Sequence, residues 1–259
     1  MNLSLQGKVV LVTGGASGIG AAIVRMCGRE GAIPVILDRD LPAIERLKVE
    51  LDRAGVRHEV AAGDLTDCAA TSAAIADIGN KLGRIDGVVN NAGINDGVGL
   101  ETGTPERFAQ SLDRNLFHYY AIAHAALPFL KSSKGAIVNI GSKVALTGQG
   151  GTSGYAASKG SILGLTTAWA EELSAYGIRS NCVVPAEVAT PQYSKWLEKF
   201  PDPNKELARI VAKVPLQHRM TDVDEIAAAV VFLLSEKSGI TGQFLFVDGG
   251  YVHLDRGLT

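Results

Sequence analysis

KVVLVTGGASGIG, residues 8–20, joins an apolar run to a glycine-rich turn. The run at residues 8–13 has no alternation of polar and apolar side chains, which is typical of a parallel strand buried on both faces. The glycines that follow allow the chain to turn tightly, and the small residues after Gly20 begin a helical pattern. The stretch therefore predicts strand, turn and helix, with backbone N–H groups at the helix start that can bind an anion.

The rest of the chain repeats this alternation of strand and helix. Further apolar runs predict strands, with a third strand expected before Asp64, and they cover residues 33–37, 87–90, 135–140, 178–184 and 243–247. Helical spacing of apolar residues covers residues 41–54, 67–82, 104–131, 155–176 and 222–234. The order predicts an α/β fold, a single Rossmann-type doubly wound parallel sheet flanked by helices on both faces, as one domain over residues 1–259. The one long irregular stretch, residues 187–214, is expected to be a substrate lid.

Composition and charge favour a small-molecule substrate. Lys and Arg number 25 against 27 Asp and Glu, with both signs scattered, so the net charge of -2 indicates no surface for nucleic acid or for an anionic membrane. No secretory leader pattern and no apolar run of about 18 residues occurs, and we expect a cytoplasmic protein without a membrane span. The cysteines and histidines lack metal-ligand spacing, so no metal site and no disulfide is expected.

The glycine turn alone also suits a plain tight connection, but residues after the next strands favour a dinucleotide. Asp38 ends the second strand about 20 residues after the turn, where a carboxylate can accept hydrogen bonds from the adenosine ribose, which favours NAD. Arg39 can instead pair with a 2′-phosphate, so NADP use stays open. Asp64 and Leu65 are expected at the adenine, and a plain helix cap is an equally good interpretation of Asp64.

Four further motifs follow in order along the chain. They are Asn90-Asn91-Ala92-Gly93 after the fourth strand, Asn115 within the long helix, Ser142 after the fifth strand, and Tyr155-x-x-x-Lys159. Together with the glycine turn they span nearly the whole chain, and the sequence resembles the short-chain dehydrogenase/reductase family. The resemblance implies the family fold, an NAD or NADP cofactor, and a homotetramer in which the helices of Asn115 and Tyr155 pack against a neighbouring subunit.

The turn, the strand ends and the resemblance together predict the contacts with the cofactor. These are Gly14, Ser17, Gly18, Ile19, Gly20, Asp38, Arg39, Asp64, Leu65, Asn91, Ala92, Gly93, Tyr155, Lys159, Pro185, Val188 and Thr190. After the sixth strand the chain reads Pro185-Ala186, where the family usually has Pro-Gly. Because alanine adopts a positive φ only at a cost, the sequence leaves the shape of this turn open.

Tyr155 and Lys159 share one face of a helix because they are four residues apart. We expect the ammonium to lower the pKa of the phenol; a shift from ~10 to about 7 needs about 4 kcal/mol, which requires both Lys159 and a positively charged nicotinamide in a desolvated cleft. Tyr155 is then the general base that takes the hydroxyl proton as hydride leaves the same carbon, and Ser142 holds the substrate oxygen. In this interpretation Lys159 also holds the nicotinamide ribose, and Asn115 supports a water that links Lys159 to solvent.

Polar side chains dominate the segments expected around the reacting carbon, which favours a substrate with several hydroxyls. Tyr193 or Trp196 offers a flat face for a sugar ring. The alternative is that these side chains point to water and only solubilise a lid. The predicted substrate contacts are Asn95, Ser142, Lys143, Gln149, Thr152, Tyr155, Glu187, Gln192 and Trp196.

Within the family, residues 142–152 and 185–188 resemble sugar dehydrogenases that act on L-fucose. This resemblance implies oxidation of the C1 hydroxyl of L-fucose or a related aldose to the lactone. A reductase or dehydrogenase of ketoacyl, steroid or polyol substrates shares the cofactor site and is the alternative enzyme. A dinucleotide-binding scaffold is the non-enzyme alternative, and the complete set of catalytic side chains argues against it.

Overall fold

Parallel strands form one seven-stranded sheet in residues 3–254, the part of the chain that the computed structural model describes. The order in the sheet is β3-β2-β1-β4-β5-β6-β7, which confirms the predicted doubly wound fold. The ends of the predicted domain, residues 1–2 and 255–259, lie outside the described residues. The strands are β1 (Val9–Thr13), β2 (Ile33–Asp38), β3 (Glu59–Ala62), β4 (Gly87–Asn90), β5 (Ala136–Ile140), β6 (Arg179–Pro185) and β7 (Phe244–Val247).

The direction of winding reverses between β1 and β4. From β1 the chain adds β2 and β3 on one side of the sheet, and then β4 to β7 on the other. The connections leave these two neighbouring strands in opposite directions, so a crevice opens beyond their carboxyl ends. The glycine turn after β1 and residues 91–93 after β4 therefore lie at this crevice.

Helices cover both faces of the sheet and enclose two apolar cores. One core lies against α1, α2 and α9, and the other against α3, α5 and α6. Val10 packs in the first core and Leu11 in the second, because successive side chains of a strand point to opposite faces. Within residues 3–254, none of the helices combines the length and apolar character needed to cross a membrane. The helices are α1 (Gly18–Arg29), α2 (Leu41–Arg53), α3 (Cys68–Leu82), α4 (Pro105–Leu112), α5 (His118–Ser133), α6 (Ser153–Ser174), α7 (Pro191–Leu197), α8 (Pro203–Val211) and α9 (Val223–Leu234).

The helix predicted at residues 104–131 is not continuous. A π-helical turn at Asp113–Phe117 separates α4 from α5, and Asn115 within it is fully buried. A π-helical turn inserts one extra residue into a helix and often marks a functional site. A shift of one residue leaves the apolar spacing on either side nearly intact, so the pattern predicted one helix where the structure has two.

The stretch at residues 187–214 is not irregular, because it contains α7 and α8. Thr190 caps α7 by accepting a hydrogen bond from the Tyr193 N–H at 3.2 Å, and Asp202 caps α8 in the same way. Each cap is followed by proline at the first helical position, which is a helix-start signal. Helices this short show no clear apolar period, so the sequence pattern missed them.

Candidate active site

The glycine turn between β1 and α1 has the shape that a bound pyrophosphate requires. Gly14 has a φ of +60°, and a Cβ at Gly20 would lie 2.0 Å from the Gly14 carbonyl oxygen. Only glycine therefore lets α1 approach the turn this closely. Ser17 begins α1 without a side-chain cap bond, which leaves first-turn backbone N–H groups available to an anion. The turn fits a dinucleotide.

Thr13 and Asn91 tie the ends of β1 and β4 together. Thr13 Oγ1 accepts hydrogen bonds from the backbone N–H groups of Asn91 and Ala92, at 2.8 and 2.9 Å. The Asn91 side chain donates from Nδ2 to the Thr13 carbonyl at 2.8 Å. The amide of Asn91 thus fixes the glycine turn, which leaves the backbone of residues 91–93 as the part of this segment suited to contact a cofactor.

The Asp38 carboxylate organises the end of β2. Its Oδ2 accepts a hydrogen bond from the Ala16 N–H in the glycine turn at 3.0 Å. Its Oδ1 accepts from the N–H groups of Arg39 and Asp40, at 2.7 and 3.1 Å. The carboxylate therefore lies directly beside the turn, as a contact with an adenosine ribose requires.

Arg39 and Asp64 form an exposed ion pair near this carboxylate, with Arg39 Nη1 2.9 Å from Asp64 Oδ2. Hydrogen bonds from Thr66, and then from Arg39, hold the pKa of Asp64 below its usual value. An exposed pair of this kind contributes at most about 1 kcal/mol, so a ligand phosphate can compete for Arg39. The helix-cap interpretation of Asp64 is wrong, because Asp67 caps α3 by accepting from the Ala70 N–H at 2.9 Å.

Ser142, Tyr155 and Lys159 meet beyond the carboxyl end of β5. Ser142 follows this strand and begins a short 3₁₀ turn, in which its Oγ accepts from the Val144 N–H at 3.4 Å. Tyr155 and Lys159 lie in the first two turns of α6, and a side-chain hydrogen bond joins Tyr155 to Ser142. The Lys159 Nζ lies 5.6 Å from the centre of the Tyr155 ring. Ser142, Tyr155 and Lys159, which belong to two separate motifs in the sequence, thus form one cluster of side chains.

Burial controls the pKa values in this cluster. Burial raises the pKa of Tyr155 to about 12, and the hydrogen bond with Ser142 offsets only part of that increase. Burial also lowers the pKa of Lys159 to about 8. In the protein alone, the pKa of Tyr155 is therefore raised and not lowered. The phenolate loses more stabilisation through lost hydration than it gains from attraction to the ammonium. A second positive charge nearby is needed to form the phenolate near neutral pH.

Asn115 connects the π-helical turn to the loop after β4. Its Oδ1 accepts from the Ile94 N–H at 2.7 Å, and its Nδ2 donates to the Ser111 carbonyl at 2.9 Å. A Cβ at Gly93 would lie 3.0 Å from Asn115 Oδ1 and 3.6 Å from Lys159 Nζ. Asn115 therefore fixes the loop that lies against Lys159, and its support of a water stays a prediction.

A buried polar cluster lies directly beside Ser142, and we refer to it as the Lys143–Glu187–Tyr193 cluster. Lys143 donates from Nζ to Glu187 Oε1, and Tyr193 donates from Oη to Glu187 Oε2 at 2.7 Å. Lys143 and Glu187 are 9% and 8% exposed, so the solvent-facing alternative is wrong for these two. Burial, together with Glu187, raises the pKa of Tyr193 well above its usual value. Burying charges costs hydration, which makes the cluster a candidate binding site.

The other predicted substrate residues differ in exposure. Thr152 is buried, and Trp196 packs edge-on against the Tyr193 ring with 5.3 Å between ring centres. The solvent-facing alternative fits the four predicted contacts that are exposed, namely Asn95, Gln149, Gln192 and Trp196.

The turn after β6 closes without glycine. Ala186 does not have a positive φ, so alanine adopts this turn without backbone strain. This answers the question that the Pro185-Ala186 sequence raised about the shape of the turn. Val188 is buried, and Thr190 lies over the start of α1, since a Cβ at Gly18 would be 3.5 Å from the Thr190 methyl. The predicted contacts at residues 185–190 therefore border the crevice opposite the glycine turn.

Comparison with known proteins places this site in a family. The short-chain dehydrogenase family model described as enoyl-(acyl carrier protein) reductase matches residues 14–252. The chain belongs to the short-chain dehydrogenase/reductase family. The match includes the glycine turn and all four motifs after it, so the resemblance seen in the sequence is confirmed.

Curated relatives of this short-chain dehydrogenase/reductase act on different substrates. L-fucose dehydrogenase of Oryctolagus cuniculus is 40% identical over 245 residues, which is 94% of this chain and 84% of the relative. The 3-oxoacyl-[acyl-carrier-protein] reductase FabG of Thermotoga maritima is 34% identical over 252 residues, 96% of this chain and 100% of the relative. The family membership shows an NAD(P)-dependent oxidoreductase that acts on CH–OH groups of small molecules.

Solved structures of the family share the whole fold. Cj0485 dehydrogenase has a TM-score of 0.96 at 42% identity and covers 100% of this chain and 99% of its own. The ligand-free aldohexose dehydrogenase of Thermoplasma acidophilum has a TM-score of 0.89 at 31% identity, with the same coverage. An NAD(P)-dependent gluconate 5-dehydrogenase of Beutenbergia cavernae, with bound NADP, has a TM-score of 0.89 at 29% identity and covers 97% and 99%.

The sequence pattern missed three side chains at this site. Thr13 accepts hydrogen bonds from the backbone N–H groups of residues 91 and 92. The ring centre of Tyr251 lies 4.0 Å from Lys143 Nζ. Tyr119 accepts a hydrogen bond from Lys159 at 3.1 Å. A polar residue at the end of an apolar strand was the available signal for Thr13. The available signal for Tyr119 was its spacing of four residues from Asn115.

Proposed function

We propose that this protein oxidises the C1 hydroxyl of L-fucose, or of a closely related aldose, to the lactone. The observation that carries the proposal is the buried Lys143–Glu187–Tyr193 cluster beside Ser142. It offers charged and hydrogen-bonding groups where a sugar presents several hydroxyls, whereas a steroid or an acyl chain would favour an apolar lining. The L-fucose dehydrogenases among the relatives support the same substrate class.

Tyr155 is the general base in the proposed reaction. Its phenolate oxygen takes the proton of the C1 hydroxyl, and the Ser142 hydroxyl donates a hydrogen bond to the same substrate oxygen. The positive charge of Lys159 favours the phenolate, and Asn115 supports a water that carries the abstracted proton toward solvent. The nicotinamide, when bound, supplies the hydride acceptor and a positive charge.

The crevice between the glycine turn and residues 185–190 would hold the dinucleotide. Backbone N–H groups at the start of α1 suit the pyrophosphate, and Asp64 with Leu65 borders the adenine side. Asp38 favours NAD, because its carboxylate repels a 2′-phosphate. Arg39 is exposed and can pair with that phosphate, so we expect NADP as the second cofactor.

We propose that residues 187–214 act as a lid over the sugar. Glu187 at the start of this stretch belongs to the buried cluster, and Tyr193 on α7 donates to it. The same hydrogen bond thus joins the stretch to the active site. Because Glu187 and Tyr193 are proposed to contact the sugar, we expect the lid to close when the bound sugar forms these contacts.

We propose a homotetramer, as the family resemblance implies. Phe117 and Tyr120 are 52% and 57% exposed on the segment that follows Asn115. Large exposed aromatic side chains suit contact with a second copy. Sedimentation equilibrium should give the tetramer mass, and the mass of a monomer would contradict this assembly.

The test is turnover of a substrate panel. Purified protein is mixed with NAD or NADP and with aldoses, polyols, hydroxysteroids and hydroxyacyl thioesters at about pH 8 to 9, where the base is most active, and reduced cofactor is followed by absorbance. We expect the highest kcat/KM with L-fucose or a close stereochemical relative. Turnover of only acyl or steroid substrates would overturn the sugar assignment, and no turnover with any class would favour the scaffold.

A further inference from the structure

Lys159 is a cation with unusual surroundings. It is 2% exposed, and none of the ion pairs in residues 3–254 includes it. Its Nζ donates one hydrogen bond to the Ile140 carbonyl at 2.7 Å and another to the Tyr119 hydroxyl at 3.1 Å. Two neutral oxygens therefore take the place of a counter-ion.

The other titratable groups that face Lys159 do not supply a negative charge at neutral pH. Tyr155 lies on the same helix, His118 on α5 and Cys182 on β6. Burial raises the pKa of both Tyr155 and Cys182 to about 12 and lowers the pKa of His118 to about 4. All three groups are therefore neutral near pH 7, and the hydrogen bonds to Lys159 carry its stabilisation.

Tyr119 is held so that its oxygen faces the ammonium. The side chain is fully buried on α5, and its hydroxyl donates to the Ile140 carbonyl at 3.2 Å. Because the hydroxyl proton is used in this bond, the lone pairs of the oxygen remain to accept from Lys159. The Lys159 Nζ, the Tyr119 Oη and the Ile140 oxygen thus form a closed set of three hydrogen bonds.

We propose that Tyr119 is a positioning residue for the reaction, in which its hydroxyl and the Ile140 carbonyl hold the Lys159 ammonium beside Tyr155. The inference rests on the proposed roles of Tyr155 and Lys159. Without the Tyr119 hydroxyl, the Lys159 ammonium keeps only the Ile140 carbonyl as a hydrogen-bond acceptor in its buried position. The charged form of Lys159 then becomes less stable, and its side chain is free to rotate. Tyr119 touches neither the substrate nor the reacting carbon in this role.

The test compares Tyr119→Phe with Tyr176→Phe. The first variant keeps the buried ring and removes only the hydroxyl, and the second removes a hydroxyl from an exposed side chain beyond the end of α6. In cofactor-free protein with ¹³C-labelled lysine, NMR titration reports the protonation of Lys159, whose signal is assigned by its loss in Lys159→Arg. We expect a midpoint near the wild-type pKa of about 8 for Tyr176→Phe. We expect Tyr119→Phe to lower that midpoint by about one pH unit or more.

Kinetics provide the second readout, with whichever alcohol the protein turns over. Since less Lys159 charge means less phenolate, we expect Tyr119→Phe to lower kcat about tenfold, with KM nearly unchanged and the rising limb of the pH profile moved to higher pH. A residue needed only for packing would change neither the limb nor the midpoint. An unchanged Lys159 midpoint in folded Tyr119→Phe, judged by its circular dichroism, would overturn the proposal. Failure of L-fucose as substrate would leave that result intact and overturn only the sugar assignment.

Discussion

The glycine turn and the Lys143–Glu187–Tyr193 cluster lie at the same edge of the sheet and are built in opposite ways. Backbone atoms form the turn, where Gly20 packs against the Gly14 carbonyl. Beside it, Thr13 accepts hydrogen bonds from two backbone N–H groups. Side chains form the cluster, and its ion pair joins residues 44 positions apart in the chain. The turn depends on local conformation, whereas the cluster depends on which side chains two distant segments carry.

We expect this difference to separate what the family shares from what distinguishes its members. A backbone site cannot change without disturbing the strand and helix beside it, so it suits a ligand common to many relatives. A cluster of side chains can be replaced while the fold stays the same. The relatives named for L-fucose and for 3-oxoacyl groups, which match nearly the same residues of this chain, agree with that division.

The largest effect should come at Tyr155, the proposed general base beside Ser142. Tyr155→Phe removes the general base, and we expect kcat to fall about a thousandfold while the Kd of the dinucleotide changes less than about threefold. Steady-state kinetics and quenching of protein fluorescence by the cofactor measure the two quantities. Tyr176→Phe is the matched control and should keep wild-type kcat. Retention of more than about a tenth of the wild-type kcat by Tyr155→Phe would exclude its role as base.

The next largest effect should come from the glycine turn. In Gly20→Ala the new Cβ would lie 2.0 Å from the Gly14 carbonyl oxygen, so the turn must move away from α1. We expect the Kd of the dinucleotide to rise about a hundredfold or more, about 2.7 kcal/mol, measured by isothermal titration calorimetry. Gly239→Ala is the control, since a Cβ at this exposed position meets nothing within 4 Å. Equal binding by both variants would show that the turn does not hold the cofactor.

A smaller and more selective effect is expected from the cluster. Glu187→Gln removes the charge that faces Lys143, and we expect the sugar KM to rise about tenfold, about 1.4 kcal/mol, with little change in the dinucleotide KM. Glu45→Gln, at an exposed position on α2, is the control. If Glu187→Gln raised both KM values by the same factor, the cluster would not be a sugar site.

The smallest effect should come from Arg39. Its exposed pair with Asp64 is weak, so Arg39→Ala should weaken NADP binding about fivefold and leave NAD binding unchanged. Arg46→Ala, on the exposed face of α2, should change neither Kd. Competition binding with both dinucleotides measures the ratio. An equal loss for NAD and NADP would mean that Arg39 does not meet the 2′-phosphate.

The sequence predicted the backbone-built region well, because its signals are local. The apolar run before the glycine turn gives β1, and the spacing of Tyr155 and Lys159 places both on one face of α6. Each of these inferences needs only a few consecutive residues and a known helical or strand period. The resemblance carried by the glycine turn and the four motifs after it identified the family, which the comparisons confirm.

The side-chain contacts could not be predicted in the same way, because they depend on packing between distant segments. The partner of Lys143 is Glu187, and nothing near either residue indicates the other. The contact of Tyr119 with Lys159 depends on how the π-helical turn, which the apolar spacing does not reveal, places Tyr119 relative to α6. The spacing of Tyr155 and Lys159 indicates a nearby charge, whereas the extent of burial that raises the pKa of Tyr155 in the protein alone depends on packing between distant segments.

Oxidation of L-fucose deuterated at C1 tests the central claim most directly. The protein is given this sugar and its preferred dinucleotide, and the mass of the reduced dinucleotide is measured. If the C1 hydroxyl is the group from which Tyr155 takes the proton, deuterium leaves C1 in the same reaction, and the reduced dinucleotide is heavier by one deuterium. Reduced dinucleotide without deuterium would show that another carbon is oxidised and would contradict the account.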